Sequence, residues 1–239
     1  LNTYINELGE KKSYKYADIT TVAEENGVPR NDLFLKDGLH ITKNGYSVLS
    51  KKIKSACRLD GSLDALFIGD SYMSVAYWNG FEDDMRSIEA VNLGVGGTQT
   101  VYWKDKLDYL KNNYTAESIA IHIGVNDIDD GGVSAEETTT RIKDLLNSLH
   151  AAFPESKIIW MTISPNKMFE HKNYIYPTVN SAIKDYATEN EWLVVCDVAK
   201  NFTDENGRYI EKYYLSDGMH LNSLGYKLFV KELKKTLGM

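Results

Sequence analysis

Short apolar runs, each ending in a compact polar block, constrain this chain more than any other feature. Leu66-Phe67-Ile68 leads into Gly69-Asp70-Ser71, and Ala90-Val91-Asn92-Leu93 leads into Gly94-Val95-Gly96-Gly97-Thr98. Ile119-Ala120-Ile121-His122-Ile123 leads into Gly124-Val125-Asn126-Asp127. Near the C-terminus stands Asp217-Gly218-Met219-His220. Such runs read as buried parallel strands. In open parallel sheets ligands bind outside the carboxyl ends of the strands. A serine, two glycine-rich turns, an asparagine and an Asp/His pair would then converge on one edge.

The wider pattern supports that reading. Candidate strands at 64–69, 88–93, 118–123, 157–163 and 192–197 alternate with helical stretches at about 72–86, 101–112, 135–152, 175–190 and 222–237. Asn222 is placed to cap the last helix, and Ser134 with Glu137 has capping-box spacing. Alternation implies an α/β fold: a parallel sheet between two helical layers, with a flavodoxin-like five-stranded order. At 239 residues the chain allows one such domain and an appendage. A net charge of −7 argues against a nucleic-acid partner, and no apolar stretch reaches membrane-span length. Cys57 and Cys196 sit in apolar surroundings and read as buried free thiols. No His/Cys cluster has metal spacing, so no metal is assigned. Cysteine usage fits a cytoplasmic or a secreted protein equally.

The appendage is a partial repeat. Asp37-Gly38-Leu39-His40 copies Asp217-Gly218-Met219-His220 at an offset of 180 positions. The match runs without a gap from about Glu24–Cys57 against Asp204–Leu237, and one residue of slippage extends it back to Asp18 against Asp197. Residues 1–58 thus repeat only the end of the domain at 59–239. One expectation is that Leu1 lies inside an upstream copy of a tandem protein. The other is that 1–58 is an accessory subdomain left by partial duplication. Within this α-β-α half-repeat, helices are expected at 1–11 and 43–56. The strand at 14–18 is too polar to be buried on both faces. His40 reads as a relic.

The blocks carry the chemistry of acyl transfer. A serine hydroxyl such as that of Ser71 needs a base, and His220 is the candidate. Asp217, three residues earlier, can accept from the imidazole Nδ1–H, fixing the tautomer. An oxyanion needs preorganised donors. A backbone N–H in the Gly94–Thr98 turn, the Asn126 amide and the Ser71 N–H could supply them.

In this set of blocks the sequence resembles the SGNH (GDSL) hydrolase family. The four blocks stand in family order over roughly 64–239: Gly69-Asp70-Ser71, Asn92-x-Gly94-x-Gly96-Gly97, Gly124-x-Asn126-Asp127 and Asp217-x-x-His220. The resemblance implies a three-layer α/β/α fold, no cofactor, and hydrolysis of small acyl or acetyl esters, often on carbohydrates or lipids. It implies Ser71 as nucleophile, Asp217 and His220 as its triad partners, and Ser71, Gly97 and Asn126 as the oxyanion hole. Gly97 aligns with the family's block-two glycine better than Gly96. The G-x-S-x-G elbow of the α/β-hydrolases is absent.

Blander readings compete. Ser71 could cap a helix, Asn126 and Asp127 could be turn formers, and the Gly94–Thr98 turn could cradle phosphate. That turn lacks both the third glycine of a dinucleotide fingerprint and a P-loop lysine. Asp127 reads as structural, His122 as a satisfied core histidine, and His150 and His171 as surface residues. Tyr72, Tyr77, Trp78, Tyr102, Trp103, Phe169, Tyr174 and Tyr176 fall near loops that would rim the crevice. The leading function is a serine esterase acting on a carbohydrate acetyl ester. Lysophospholipid or short-chain acylhydrolase and acyltransferase use the same chemistry. A non-catalytic carbohydrate-binding module in a tandem array is the alternative outside enzymes.

Overall fold

The computed structural model describes residues 19, 23–25, 28–56 and 61–239. It divides into two compact units, Leu1–Ser62 and Leu63–Met239. In the first, β1 (Glu24–Glu25) pairs antiparallel with β2 (Val28–Pro29). A loop bridged at Phe34 and Ile41 then leads into α1 (Lys43–Ala56). Thr42 caps α1, its Oγ1 accepting the Gly45 N–H at 3.0 Å. The helix at 43–56 is thus where the sequence places it. The helix expected at 1–11, the strand at 14–18 and Cys57 lie outside the described residues.

The second unit holds β3 (Ser62–Gly69), β4 (Ala90–Asn92), β5 (Thr115–His122), β6 (Lys157–Met161) and β7 (Leu193–Cys196), in the sheet order β4-β3-β5-β6-β7. The registered pairs β3/β4, β5/β6 and β6/β7 are parallel. This is the five-stranded flavodoxin-like order. Period-two alternation sorts the side chains into two cores. Leu66, Ile68, Ile119, Ile121, Ile158 and Trp160 join one cluster; Ala65, Phe67, Ala120, Ile159 and Met161 join the other. The first cluster is completed by α3 (Thr100–Asp105), α4 (Leu107–Asn113), α6 (Ala135–Ala152) and α7 (Tyr176–Thr188). The second is completed by α2 (Phe81–Met85) and α8 (Ser223–Leu237). Each large aliphatic side chain buried this way stabilises by about 1.5–3 kcal/mol. Between β5 and α6 lies one short helix, α5 (Val125–Asp129).

Several boundaries differ from the sequence reading. The helix expected at 72–86 shrinks to α2, because residues 70–78 fold into successive turns. There Met73 N–H donates to Asp70 O at 3.1 Å, and Tyr77 N–H to Ser74 O at 3.0 Å. The helix expected at 101–112 is split at Lys106, which ends α3 and starts α4. The 157–163 strand stops at Met161, since Asn180 takes over the Ile163 backbone, accepting from its N–H at 2.9 Å and donating to its O at 2.8 Å. Asn222 caps α8 as expected, accepting from the Leu224 and Gly225 amides. Ser134 caps α6 by accepting from Glu137 N–H. The Glu137 carboxylate pairs with Arg141, so only half of the capping box forms. Cys196 is buried, and burial pushes its thiol up to about 11, which keeps it inert at neutral pH. Among the described residues no helix is long and apolar enough to cross a membrane.

Candidate active site

Ser71 sits one residue past Asp70, where β3 turns sharply out of the sheet. The turn is tight because Asp70 O accepts both Met73 and Ser74 N–H at 3.1 Å. The Asp70 carboxylate, fully buried, accepts the Tyr72 N–H at 3.0 Å. Ser71 is therefore presented by a short rigid turn at a strand end, the site rule for open sheets.

The second block wraps over this turn. Asn92 donates to Met73 O at 2.7 Å and accepts from Gly94 N–H at 2.8 Å. Gly94 lies so close to the Ser71 turn that an added methyl would stand 2.4 Å from the Met73 carbonyl carbon, so only glycine fits. Thr98 Oγ1 donates to Gly69 O at 3.1 Å, tying the block to the end of β3. Gly96 faces the serine: a methyl on it would lie 3.7 Å from Ser71 Cβ. Gly97 follows in a left-handed conformation, φ 76°. From α5, the Asn126 amide donates one hydrogen to Thr98 O at 3.0 Å. An amide has a second, so this bond orients Asn126 without exhausting it. Asp127 turns away and accepts from Thr100 N–H at 3.0 Å and Thr100 Oγ1 at 2.7 Å, the structural role the sequence suggested.

The fourth block arrives on a loop bridged at Tyr214 and Leu221. Asp217 Oδ1 accepts the Met219 and His220 amides at 2.9 and 3.0 Å, and Oδ2 lies 2.8 Å from His220 Nδ1. Facing a carboxylate, Nδ1 is the ring's donor, so in the neutral tautomer Nε2 carries the lone pair. Burial pulls the Asp217 carboxyl upward. The bonds from the His220 ring and the Met219 and His220 amides outweigh it and hold the carboxyl below its ordinary value. Two tyrosines join this loop to the serine turn: Tyr72 Oη donates to Met219 O at 2.8 Å, and Tyr226 Oη to Tyr72 O at 3.2 Å. Tyr77 stacks on the His220 ring with centroids 3.7 Å apart and planes 10° from parallel. The residues flanking Ser71 thus hold the residues around His220. The ring's bonded partner is Asp217, and Ser71 and His220 share no hydrogen bond in this structure.

Some placements depart from the sequence reading. Tyr72, Trp78, Trp103 and Tyr176 are core residues, not rim; Tyr77, Tyr102 and Phe169 are half-buried and Tyr174 is exposed. His150 is half-buried and stacked on Trp192 at 4.4 Å, not a plain surface residue. His122 is buried, but only its Nδ1 has a partner. The Tyr77 stack and the Asp70–His122 contact escaped sequence reasoning, since neither partner announces the other. A clamp of Tyr176 Oη and Lys172 on α5 was also unforeseen: Tyr176 donates to Asp129 at 2.6 Å, and burial pushes the Asp129 carboxyl up to about 6.

Residues 67–228 match the model of the GDSL-like lipase/acylhydrolase family. A candidate platelet activating factor from Streptococcus pneumonia is 29% identical, with 73% of this chain covering 83% of that one at a TM-score of 0.63. The acetylxylan esterase Axe2 from Geobacillus stearothermophilus shares the fold at 17% identity and a TM-score of 0.60, over 73% of this chain and 94% of its own. An N-acylneuraminate cytidylyltransferase of Escherichia coli O18:K1:H7 (strain RS218 / NMEC) is 26% identical over 73% of this chain; the chain spans about 40% of that relative's length. With its parallel sheet, its strand order and the span of the family match over residues 67–228, the chain belongs to the GDSL-like lipase/acylhydrolase family.

Proposed function

We propose that this protein is a serine esterase that removes small acyl groups, first of all acetyl, from carbohydrate esters. The observation that carries the reading is the Asp217–His220 pair, its base nitrogen free, locked by Tyr72 and Tyr77 to the turn that presents Ser71. In this reading His220 Nε2 takes the Ser71 hydroxyl proton as Oγ attacks the ester carbonyl carbon. The carbonyl electrons move onto oxygen, where the Ser71 and Gly97 N–H groups and the Asn126 amide stabilise the charge. Collapse expels the sugar alkoxide, which takes its proton from His220. Water, deprotonated by the same imidazole, then attacks the acyl-enzyme, and a second collapse releases the acid and restores Ser71. The chemistry asks nothing of a metal or cofactor.

Acetylxylan is the substrate named for Axe2, and N-acylneuraminate is the sugar named for the curated relative. Acetylated xylan and O-acetylated amino sugars are therefore the first substrates to test. One observation favours a second reading, a short-chain or lysophospholipid acylhydrolase. A groove of about 290 Å³ beside the second block is lined by Leu93, Val95, Tyr102, Trp103, Tyr109 and Leu110 together with Lys106. Such a groove suits an apolar chain.

Ser71→Ala tests the core of the proposal. It should lower ester hydrolysis by about four orders of magnitude or more while the melting temperature stays near wild type. Residual activity within about tenfold of wild type would overturn it. A panel of p-nitrophenyl acetate, butyrate and octanoate beside the acetylated sugars separates the two substrate readings.

A further inference from the structure

Directly behind the serine turn lies a buried ionisable pair that the chemistry above does not use. Asp70 and His122 are both fully buried, and His122 Nδ1 lies 2.9 Å from each Asp70 carboxylate oxygen. Asp70 Oδ1 also accepts the Tyr72 N–H at 3.0 Å. The carboxylate therefore braces the residues on either side of Ser71, and the imidazole braces the carboxylate. His122 reaches the same turn by two further routes. Its backbone O accepts the Asp70 N–H at 3.1 Å, and its ring stacks under Tyr72 with centroids 4.5 Å apart and planes 21° from parallel. At Gly69, φ 133°, the two strands close so tightly that an added methyl would stand 2.2 Å from His122 O.

The other edge of the ring is idle. His122 Nε2 is buried with no hydrogen-bond partner, and Phe229 meets the ring edge-on at 6.5 Å. Burying an unpaired ring nitrogen carries a cost that phenylalanine or leucine would avoid. What such residues could not supply is the Nδ1–H that satisfies Asp70.

We propose that His122 is a positioning residue for the nucleophile: through Nδ1–H it fixes the Asp70 carboxylate, and Asp70 holds the 70–74 turn so that Ser71 Oγ sits at the attacking position. This rests on the assignment of Ser71 as nucleophile. Misplacing a reacting atom by a fraction of an ångström weakens the transition state more than the bound substrate. The mark of the role is therefore a fall in kcat with little change in KM.

The test compares three variants. Asparagine places an amide N–H where the imidazole has Nδ1, glutamine places one nearer the Nε2 position, and phenylalanine keeps the stack on Tyr72 but has no donor. His122→Asn should stay within about threefold of wild-type kcat. His122→Gln and His122→Phe should lose about tenfold or more, with KM within about twofold. The rate of Ser71 labelling by a fluorophosphonate should follow kcat through the series. If His122→Phe does not fold, Asn against Gln decides the matter alone. Equal kcat for Asn and Gln, or losses carried in KM, would overturn the proposal. Labelling of wild type separates the two claims: no adduct on Ser71 removes the nucleophile assignment and this proposal with it. An adduct formed at one rate in every folded variant overturns the positioning role and leaves the nucleophile standing.

Discussion

Asp37-Gly38-Leu39-His40 and Asp217-Gly218-Met219-His220 fold into the same loop, bond for bond. In each, the aspartate Oδ1 accepts two backbone amides, at 2.9 and 2.9 Å in the first and 2.9 and 3.0 Å in the second, and Oδ2 lies 2.8 Å from the histidine Nδ1. Leu35 N–H donates to His40 O at 2.7 Å, as Leu215 N–H does to His220 O. The following helices are capped at matching places, by Thr42 and Asn222. The difference begins beyond the loop. The His220 side chain is 13% exposed and stacked on Tyr77, whereas that of His40 is 72% exposed. Leu39 is 74% exposed where its counterpart Met219 is 5%, and Tyr46 is 65% exposed where Tyr226 is 7%. The Asp–His geometry is thus a local product of an Asx turn and a helix cap. A working base requires in addition that the imidazole be held against a nucleophile, and that is a tertiary property.

Removing the proposed base from the packed loop should have the largest effect. His220→Ala should lower kcat by about 10⁴-fold, and Asp217→Asn by about 10³-fold or more, because the amide no longer enforces the Nδ1–H tautomer. Steady-state hydrolysis of p-nitrophenyl acetate reads both. The acid limb of the profile has a defined sign. Both loop carboxyls are held low. Asp37 owes this to the His40 amide, then the His40 ring and the Leu39 amide; at Asp217 the corresponding bonds overcome burial. A depressed folded-state value stabilises above the unfolded value near 3.9, and this is lost as pH falls through the lower one. Activity lost on acidification between roughly pH 7 and 5 is therefore not protonation of Asp217. An Asp217 carboxyl carbon resonance that titrates between pH 7 and 5 would contradict this.

Asn126→Ala comes next. In the proposed mechanism the amide binds charge that exists only in the transition state, so kcat should fall by about a hundredfold with KM nearly unchanged. The half-repeat contains no counterpart of Asn126, so this variant measures what the isolated Asp-x-x-His loop lacks. An unchanged kcat with a raised KM would make Asn126 a substrate-binding group instead.

Tyr77→Leu removes the stack on His220, which has no counterpart at His40 among the described residues. Leucine keeps apolar bulk but loses the flat face, so the His220 ring gains freedom to turn out of the plane that Tyr77 holds it in. The expected fall in kcat is about three- to tenfold. Activity equal to wild type would show that the Asp217 bond alone orients the ring.

The repeat also shows which parts of this molecule are legible in sequence. Strand cores are, because Leu66, Ile68, Ile119 and Ile121 alternate with residues of the opposite face over a few positions. Caps such as Asn222 are, because they act over two or three residues. The four blocks are, because each terminates its own strand or sits in its own turn. The helix expected at 72–86 fails because backbone carbonyls at Asp70 and Ser74 close turns that Asn92 and Gly94 lock from 19 or more positions away. Tyr77 on His220 and Asp70 on His122 are hidden for the same reason: 52 positions separate the latter pair, and nothing in either segment names the other. The sequence marks where chemistry-bearing residues stand; the packing that chooses between two identical Asp–His loops is not written locally.

The smallest effect should come from His40→Ala. We propose that residues 1–58 are a partial repeat of the C-terminal portion of an SGNH domain, ahead of the catalytic unit at 59–239. On that reading Asp37 and His40 carry the base half of a triad, while the Gly-Asp-Ser block at 69–71 belongs to the following unit and is served by His220. The imidazole is mostly solvent-exposed, and its removal leaves Asp37 with its two amide donors. The loop should therefore keep its shape, and kcat and KM should stay within about twofold of wild type. The double variant His40→Ala/His220→Ala should be no worse than His220→Ala, because only one of the two rings serves Ser71. A loss above about tenfold in His40→Ala, with activity surviving in His220→Ala, would mean that the exposed loop supplies the working base and the packed one does not.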